Sequence, residues 1–495
     1  MKNLKLIIFQ QSWFQLGCTL ECIVKDAAKF DRIDLYFLSD GLFVKPLDLH
    51  QDFFADTYFS KRPEIIVKDY LELFFYDQPG KFIFHDTKIS RNFKYQKLFI
   101  DFEDLKKLQS KFWEKTALGM AISSFIITYT RDSNPRLRKY KHLIHNLSLT
   151  YQQIFYFLHK IDISSDYNEI WLWNGRSFHE RAVVEFFKEK LVDVKFMELG
   201  GDGIDQDRWI LLDNSPHDRV MNQKHILNHF NYSEKNLSEI QKWFTSQHSG
   251  GSNIYSKKFI MDPNLKIDGK LFVFFSSSDD EVAAISSDWE SAWGNQINAV
   301  NKLIEFFEGK PEYNLIIRVH PNQKNKSKND KKIWSSLKSK TSNITIYGFD
   351  SKVDSYQLLS LANGVITYGS TLGIEAAYLK KPAALLSHAL WDIVIPQQYI
   401  STDYELSDWV DGVASGSKID LVHLEQCYSG SLVLAHYKLT AGNSWSLIET
   451  HKMRNKKVGF VRGICLRPNS FIIALTRVTR WCRFQLIEKR LYLKS

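Results

Sequence analysis

The chain has 495 residues, of which 44% are hydrophobic, and a formal net charge of +9 at neutral pH. This length exceeds one ordinary hydrophobic core and predicts two domains. No apolar stretch reaches the roughly 18 residues of a membrane span, and the first residues lack a secretory cleavage site. Five scattered cysteines form neither a disulfide framework nor a zinc motif, so we expect a cytoplasmic protein with reduced thiols.

Residues 1–235 predict an N-terminal α/β domain. Apolar runs at 4–9 and 33–38 flank a helical segment, and a turn at Ser39, Asp40 and Gly41 follows the second run. The same order returns later as a strand at 170–173, a turn at 174–175, a helix at 177–190 and a strand at 194–197. Strand, helix and strand at this spacing are typical of a mostly parallel sheet.

A second α/β domain is predicted at 265–400, after a polar, Gly- and Ser-rich linker at 236–264. Strands and helices alternate here, as in a doubly wound parallel sheet. The predicted strands are 270–278, 313–321, 343–349, 364–370 and 382–387, and the predicted helices are 296–308, 355–363 and 371–381. The lysine-rich stretch 322–332 is expected to be a solvated loop.

The last segment, 401–495, is expected to contain helices that cross back to the first domain, followed by a basic tail. From His451 onward there are twelve Lys and Arg and one acid, Glu488, which leaves a net charge of −2 on the first 450 residues. Arginines interleaved with apolar residues in 471–493 predict either an amphipathic helix on an anionic membrane surface or a last helix packed on the body. A nucleic-acid partner is not expected, because no basic stripe or known module occurs elsewhere.

Polar residues follow three strands of the second domain, at the edge where open α/β sheets bind ligands. Ser276, Ser277 and Ser278 follow the first strand, and Arg318 and His320 end the second. Ser370 and Thr371 follow another strand and open a helix that contains Gly373 and Glu375.

These residues suit a phosphate-bearing ligand. A Ser or Thr cap and the first helical amides can hold an anion, Gly369 and Gly373 would allow its close approach, and Glu375 would reach a ribose. His320 could bind a phosphate ester and help it leave. Ordinary structural roles, namely a plain helix cap and a buried histidine, remain alternatives. Arg318 is expected to be buried with a partner, while His320 emerges at the strand tip.

The stretches "FFSSSDDE", "IIRVHPN" and "DSYQLLSLANGVITYGSTLGIEAAYLKKPAALL" resemble the C-terminal half of the GT-B glycosyltransferases of bacterial capsule polysaccharide biosynthesis. The His-Pro pair and the Ser/Thr motif are also similar to bacterial sialyl-, polysialyl- and Kdo-transferases and to glycerophosphotransferases of teichoic acid synthesis. The resemblance covers about residues 271–387. It implies a nucleotide-sugar donor in the C-terminal domain and a glycan or glycolipid acceptor in the N-terminal domain.

Carried onto this chain, the resemblance implies that His320 contacts the donor phosphate, that Ser370 and Thr371 hold a phosphate or sugar carboxylate, and that Glu375 holds the ribose. Ser276 to Ser278 would line the same cleft. It implies no cofactor and no bound metal, so Asp279 and Asp280 are expected in an exposed turn.

A catalytic base is expected from the N-terminal domain. Asp40 resembles the acidic motif of polysialyltransferases, although Ser39 stands where that motif has a second acid, and Glu180 and Glu198 are the alternatives. Asn174, Arg176 and His179 are predicted to face the acceptor. Two other functions remain open: transfer of a polyol phosphate from a CDP donor, and a non-catalytic glycan-assembly protein with a GT-B fold.

Overall fold

The computed structural model describes residues 2–9, 13–38, 42–44, 67–68, 70–72, 75, 77–78, 80–85, 94–96, 98, 100, 104–161, 167–188, 190, 192–202, 207–230, 234–248, 267–278, 280, 283–285, 291–417, 420–444, 449–453, 456–461 and 464–465. The strands are β1 Asn3–Ile8, β2 Arg32–Phe37, β3 Phe82–His85, β4 Tyr167–Trp173, β5 Asp193–Asp202, β6 Asp207–Leu212, β7 Lys270–Phe275, β8 Tyr313–Arg318, β9 Ile344–Tyr347, β10 Gly364–Thr367, β11 Ala383–Leu385, β12 Gln398–Tyr399, β13 Asn443–Ser444, β14 Glu449–Met453, β15 Lys456–Val461 and β16 Ile464–Cys465.

The helices lie between these strands and after them. They are α1 Trp13–Asp26, α2 Leu105–Gln109, α3 Leu118–Thr130, α4 Lys141–Lys160, α5 Phe178–Lys188, α6 Arg219–His229, α7 Glu234–His248, α8 Gln296–Glu308, α9 Lys328–Ser335, α10 Ser355–Leu361, α11 Leu372–Tyr378, α12 Asp403–Ser415 and α13 Leu421–Thr440.

The first sheet has the strand order β13-β6-β5-β4-β1-β2-β3 within the described residues. Strands β1 to β5 pair with one another in parallel, and β6 and β13 add an antiparallel edge beside β5. Strand β1 is buried on both faces. Leu6 and Ile8 pack in a core that contains α1 residues, whereas Ile7 packs with residues of α3, α4 and α5. Helices on both sides explain why Leu6, Ile7 and Ile8 follow one another as apolar residues without alternation.

The second sheet has the order β12-β11-β10-β7-β8-β9, and every pairing in it is parallel. The chain moves outward from β7 through β8 to β9, then returns to the other side of β7 with β10. The point where the strand order reverses therefore lies between β7 and β10. The two sheets confirm the predicted fold class of two α/β domains.

The chain returns to the first domain after α13, where the short strand β13 joins the edge of the first sheet. Strand β13 pairs with β6, so residues separated by more than 200 positions share one sheet. Arg208 reinforces this junction because its guanidinium donates to the carbonyls of Thr440, Ala441 and Gly442.

Three predicted segments differ from the structure. The predicted linker begins with helix α7, whose Ile240, Trp243 and Phe244 are buried in a core with residues of α11 and α13. The lysine-rich stretch forms a 3-10 helix, Pro321–Asn325, and then α9. The start of the basic tail forms an antiparallel sheet of β14, β15 and β16 rather than a helix. The predicted amphipathic helix at 471–493 lies outside the described residues.

Helices long and apolar enough to cross a lipid bilayer are absent from the described parts of the chain.

Candidate functional site

The carboxyl ends of β7, β8 and β10 bring the predicted donor-binding residues together. Strands β8 and β10 flank β7 directly, so the segments after all three strands leave the sheet at the same edge. Ser276, His320 and Ser370 each lie within three residues of a strand end. Ligands of open α/β sheets bind in the crevice at the point where the strand order reverses, which here is the β7–β10 boundary.

Hydrogen bonds join the Ser276–Ser278 segment to the His320 loop. Ser276 is buried, and its Oγ accepts a hydrogen bond from the backbone N–H of His320 at 2.7 Å. Asn322 Nδ2 donates to Ser278 Oγ at 3.4 Å, and Gln323 Nε2 donates to the Ser277 carbonyl at 3.5 Å. Ser277 Oγ is buried and makes no hydrogen bond to the described residues. The two segments therefore form one polar surface.

The hydrogen bonding of His320 defines which of its ring nitrogens can face a ligand. Nδ1 accepts from the backbone N–H of Asn322 at 3.1 Å, so in the neutral ring the proton is on Nε2. Burial, together with the nearby charges of Lys326 and Arg318, lowers the pKa of His320 to about 4. The imidazole is therefore neutral near pH 7 and presents Nε2–H as a donor, the group that a phosphate oxygen accepts from.

Arg318 supports the loops behind this surface, as predicted. It is only 2% exposed, and its guanidinium donates to the carbonyls of Val319, Gly348 and Ser351 at 2.9, 2.9 and 3.2 Å. Burial lowers its pKa to about 10, so it stays charged at neutral pH.

The segment after β10 makes fewer helix-capping contacts than predicted. Ser370 Oγ accepts from Leu372 N at 3.5 Å, whereas Thr371 precedes α11 without a side-chain cap and is exposed. Glu375 is buried in the first turn of α11. Gly369 has a φ of +78°, which favours glycine.

Gly373 serves protein packing instead of ligand approach. A Cβ atom there would overlap the Trp391 ring, and Gln397 Nε2 donates to the Gly373 carbonyl at 2.6 Å. Gly373 is therefore covered by Trp391 and does not open the backbone to a ligand, contrary to the prediction.

The turn after Ser278 is buried at Asp280, contrary to the predicted exposed turn. The Asp280 carboxylate pairs with the ammonium of Lys326, whose side chain is 1% exposed, and lies 3.5 Å from Arg131 Nη1. Burial alone would raise the pKa of Asp280, but Lys326, Arg131 and Ser278 together lower it. Asp279 lies outside the described residues.

In the first domain, Asn174 connects the predicted acceptor-side residues. It follows β4 with a φ of 49°, and its Oδ1 accepts from Arg176 N at 3.1 Å. Its Nδ2 donates to the carboxylate of Glu198 on β5. His217 Nε2 lies 3.0 Å from the same Oδ1 and must donate to it. Burial, together with the charges of Arg176 and Arg181, lowers the pKa of His217 to about 3.

Two other predicted residues on this side face the interior. His179 is buried, its Nε2 lies 3.2 Å from the Val44 carbonyl, and its ring packs against Phe9. Burial lowers its pKa to about 4. His179 is therefore a core residue and does not face an acceptor, contrary to the prediction. Glu180 is also buried, and Asp40 lies outside the described residues.

The edges of the two sheets meet through Arg181. Its Nη2 donates to the carbonyls of Ala284 and Ile285, in the segment between β7 and α8, at 3.3 and 2.7 Å. Its Nε donates to the Arg176 carbonyl at 3.4 Å. The turn after β4 therefore lies next to the segment after β7. Sequence reasoning missed Arg181, His217 and Lys326, because nothing in their local sequence marks partners that are between 43 and 104 positions away.

Residues 213–398 match the family model of capsule polysaccharide biosynthesis proteins. No curated protein matches the chain significantly.

Several solved structures are similar to this chain. The β-Kdo 2,4-transferase KpsC of Thermosulfurimonas dismutans is 12% identical, with a TM-score of 0.36 over 56% of this chain and 85% of that one. The β-Kdo 2,7-transferase KpsC of the same organism is 13% identical, with a TM-score of 0.34 over 66% and 89%. The UDP-GlcNAc 2-epimerase of Methanocaldococcus jannaschii, solved with UDP-GlcNAc and UDP, is 11% identical, with a TM-score of 0.27 over 88% and 98%.

The matched region contains Ser276, His320 and Ser370, and so the whole donor-side surface. Over residues 213–398 the chain is thus similar to the capsule polysaccharide biosynthesis proteins, which confirms the resemblance that its motifs indicate.

Proposed function

We propose that this protein is a glycosyltransferase of capsule polysaccharide synthesis. The donor would be a nucleotide-activated sugar at the carboxyl edge of the second sheet, and the acceptor a growing glycan held by the first domain. The family match and the convergence of Ser276, His320 and Ser370 at one sheet edge support this function. The observation that carries it is the Nε2–H donor of a neutral His320 beside these serines.

In the proposed reaction, an acceptor hydroxyl attacks the anomeric carbon of the donor sugar. A bond forms between the hydroxyl oxygen and this carbon, the bond from the carbon to the phosphate oxygen breaks, and a base takes the hydroxyl proton. The nucleotide leaves as an anion. Nε2–H of His320 would stabilise the charge that develops on the departing phosphate oxygen.

Glu198 is the best supported of the three candidate bases. It lies on β5 beside the turn after β4, and Asn174 orients its carboxylate. Glu180 is less suited to be the base because it is buried, and a base must reach the hydroxyl that it deprotonates. Asp40 stays a prediction from the sequence.

Substitution of His320 tests the donor role. We expect His320→Ala to lower turnover about 100-fold, the usual effect of losing one donor to a developing oxyanion. The amide of Gln reaches the position of Nε2, and that of Asn only the position of Nδ1, so H320Q should retain more activity than H320N. Steady-state kinetics, with the unfolding temperature as a control for folding, measures this order. Full activity of H320A would refute the proposed role.

A donor panel distinguishes the proposed function from the two alternatives. Purified protein is offered CMP-, CDP-, UDP- and GDP-linked sugars and CDP-glycerol, and both the rise in unfolding temperature and the release of nucleotide are measured. Turnover of a sugar donor is expected. Turnover of CDP-glycerol alone would indicate polyol-phosphate transfer, and binding without turnover of any donor would indicate a non-catalytic protein.

The basic tail is proposed to hold the enzyme at the cytoplasmic face of the membrane, near a lipid-linked acceptor. The net charge of +11 after residue 450 and the interleaved arginines of 471–493 support this role. We expect the full chain to float with vesicles that contain anionic lipid, and to do so less well in high salt. A variant that ends at residue 465 should not float. Equal flotation of both proteins would contradict the proposal.

A further inference from the structure

His388 follows β11, the neighbour of β10, and borders the predicted donor loop. Its carbonyl oxygen lies 3.1 Å from the position that a Cβ atom on Gly369 would occupy. The segment after β11 thus contacts the segment after β10 directly, at the same sheet edge as Ser370. No prediction from the sequence included His388.

A buried carboxylate determines the tautomer of His388. Asp392 Oδ2 lies 2.8 Å from Nδ1 of the ring. Arg219 donates to the other oxygen at 2.7 Å, and Gln223 does so at 2.8 Å. Burial would raise the pKa of Asp392, but Gln223, His388 and Arg219 together lower it, so the carboxylate is ionised and only accepts. Nδ1 therefore carries the proton, and in the neutral ring Nε2 has the lone pair.

The ring of His388 is held in place and remains accessible. It stacks on Tyr399 with a centroid distance of 4.9 Å and an interplanar angle of 7°. A third of the side chain is exposed. Packing and the bond to Asp392 orient the imidazole before any ligand arrives, which reduces the entropy lost on binding.

The two histidines at this edge offer different groups to a ligand. His320 presents a donor, which suits a phosphate oxygen, whereas the neutral ring of His388 presents an acceptor, which suits a hydroxyl. Strands β8 and β11 are three places apart in the sheet, or roughly 14 Å. A nucleotide-linked sugar is long enough to reach from one histidine to the other.

We propose that Nε2 of His388 accepts a hydrogen bond from a hydroxyl of the group that is transferred. His388 is then a specificity-determining residue, and Asp392 is its positioning residue. This inference rests on the proposed function, and it adds that the ligand has a hydroxyl-bearing end near β11 in addition to its phosphate end near β8.

The test compares two substitutions with opposite geometry. Asn at position 388 keeps a donor where Nδ1 was, and so keeps the contact with Asp392, but has nothing at the position of Nε2. Gln places an amide oxygen near Nε2 and gives up the contact with Asp392. For wild type, H388N and H388Q, the dissociation constant is measured for each free nucleotide (CMP, CDP, UDP, GDP) and for the corresponding nucleotide sugar. His225→Asn, on the exposed side of α6, is the matched control.

We expect the dissociation constant of H388N for free nucleotide to stay within twofold of that of wild type. Its dissociation constant for the complete donor should rise by up to about tenfold, because one hydrogen bond is lost. The dissociation constants of H388Q for free nucleotide and for the complete donor should both stay within threefold of those of wild type. A purely structural role for His388 predicts the reverse order, since only Asn keeps the bond to Asp392.

Equal weakening of nucleotide and donor by H388N, or no weakening at all, would overturn the inference. Failure of wild type to bind any nucleotide or donor would instead refute the proposed function, and this inference with it. Unfolding temperatures without ligand check that the variants fold. If H388N does not fold, the comparison of H388Q with wild type decides: a loss of donor affinity above tenfold with unchanged nucleotide affinity would contradict the expected result.

Discussion

Arg318 and His320 occupy alternate positions at the end of β8, yet their hydrogen bonds give them different tasks. Arg318 donates to three backbone carbonyls, one after β8 and two after β9, so it holds the ends of these strands together. The backbone N–H of His320 donates to Ser276 Oγ, and Nδ1 of its ring accepts from the backbone N–H of Asn322, which orients the ring. At the residue scale, one side chain holds the strand ends together, and the other is proposed to contact the donor.

Arg318→Met should destabilise the protein without removing a ligand contact. The variant leaves the carbonyls of Gly348 and Ser351 without their donors, although it also removes a buried charge. We expect a loss of about 2–4 kcal/mol in the free energy of unfolding, measured by urea denaturation. Arg136→Met, at an exposed position, is the control and should change stability by less than about 0.5 kcal/mol. A similar small effect of Arg318→Met would show that those carbonyls do not need the guanidinium.

At the element scale, the buried pair of Asp280 and Lys326 joins two segments of the donor-side edge. Asp280 follows the serines after β7, and Lys326 follows the 3-10 helix Pro321–Asn325 after His320. Packing of these two segments against the first domain withdraws Lys326 from water, while other lysines of the same stretch, such as Lys324 and Lys328, remain less buried.

Lys326→Met should be costly because it leaves the Asp280 carboxylate buried with only partial compensation from Arg131. We expect a loss of about 3 kcal/mol in the free energy of unfolding. The double variant Asp280→Leu/Lys326→Met should recover most of this loss, because two apolar side chains can replace a buried ion pair at little net cost. A double-mutant cycle by chemical denaturation measures the coupling. Additive effects of the two substitutions would mean that the pair is not coupled.

At the scale of the whole molecule, a second polar contact links the domains. Ser133, after α3, donates its N–H and Oγ–H to Asp330 of α9 at 3.1 and 3.2 Å. Ser327 Oγ donates to Asp132 Oδ2 at 3.1 Å, so the two segments bind each other reciprocally. Burial and the nearby Asp132 and Asp280 raise the pKa of Asp330 to about 6, against the opposing effect of the bonds from Ser133.

This raised pKa predicts a pH-dependent contribution to stability. The folded protein holds the Asp330 proton up to about pH 6, whereas the unfolded chain releases it near pH 4, so the contribution is full below pH 4 and is lost as the pH rises to 6. Asp330→Asn cannot ionise and should gain up to about 3 kcal/mol relative to wild type between pH 4 and pH 7. Denaturation at both pH values measures this change, with Asp350→Asn at an exposed position as the control. No change with pH would contradict it.

The sequence by itself determined most of the elements of the second domain. The predictions agree with the structure for the helix at 296–308 and for the strands that begin at Lys270, Tyr313 and Gly364. Each of these segments has a clear apolar pattern and turn residues at its ends. The strand-end rule also placed Ser276, His320 and Ser370 at one edge, since the carboxyl ends of parallel strands always share an edge.

Only the tertiary structure decided what those residues face. The burial of Lys326 with Asp280 and the removal of His179 from the acceptor-facing set depend on partners that no local pattern reveals. Local periodicity reports which side of an element is apolar. The burial of a polar side chain depends instead on which distant segments pack together. In this protein, the two sheets and the returning C-terminal segment determine that packing.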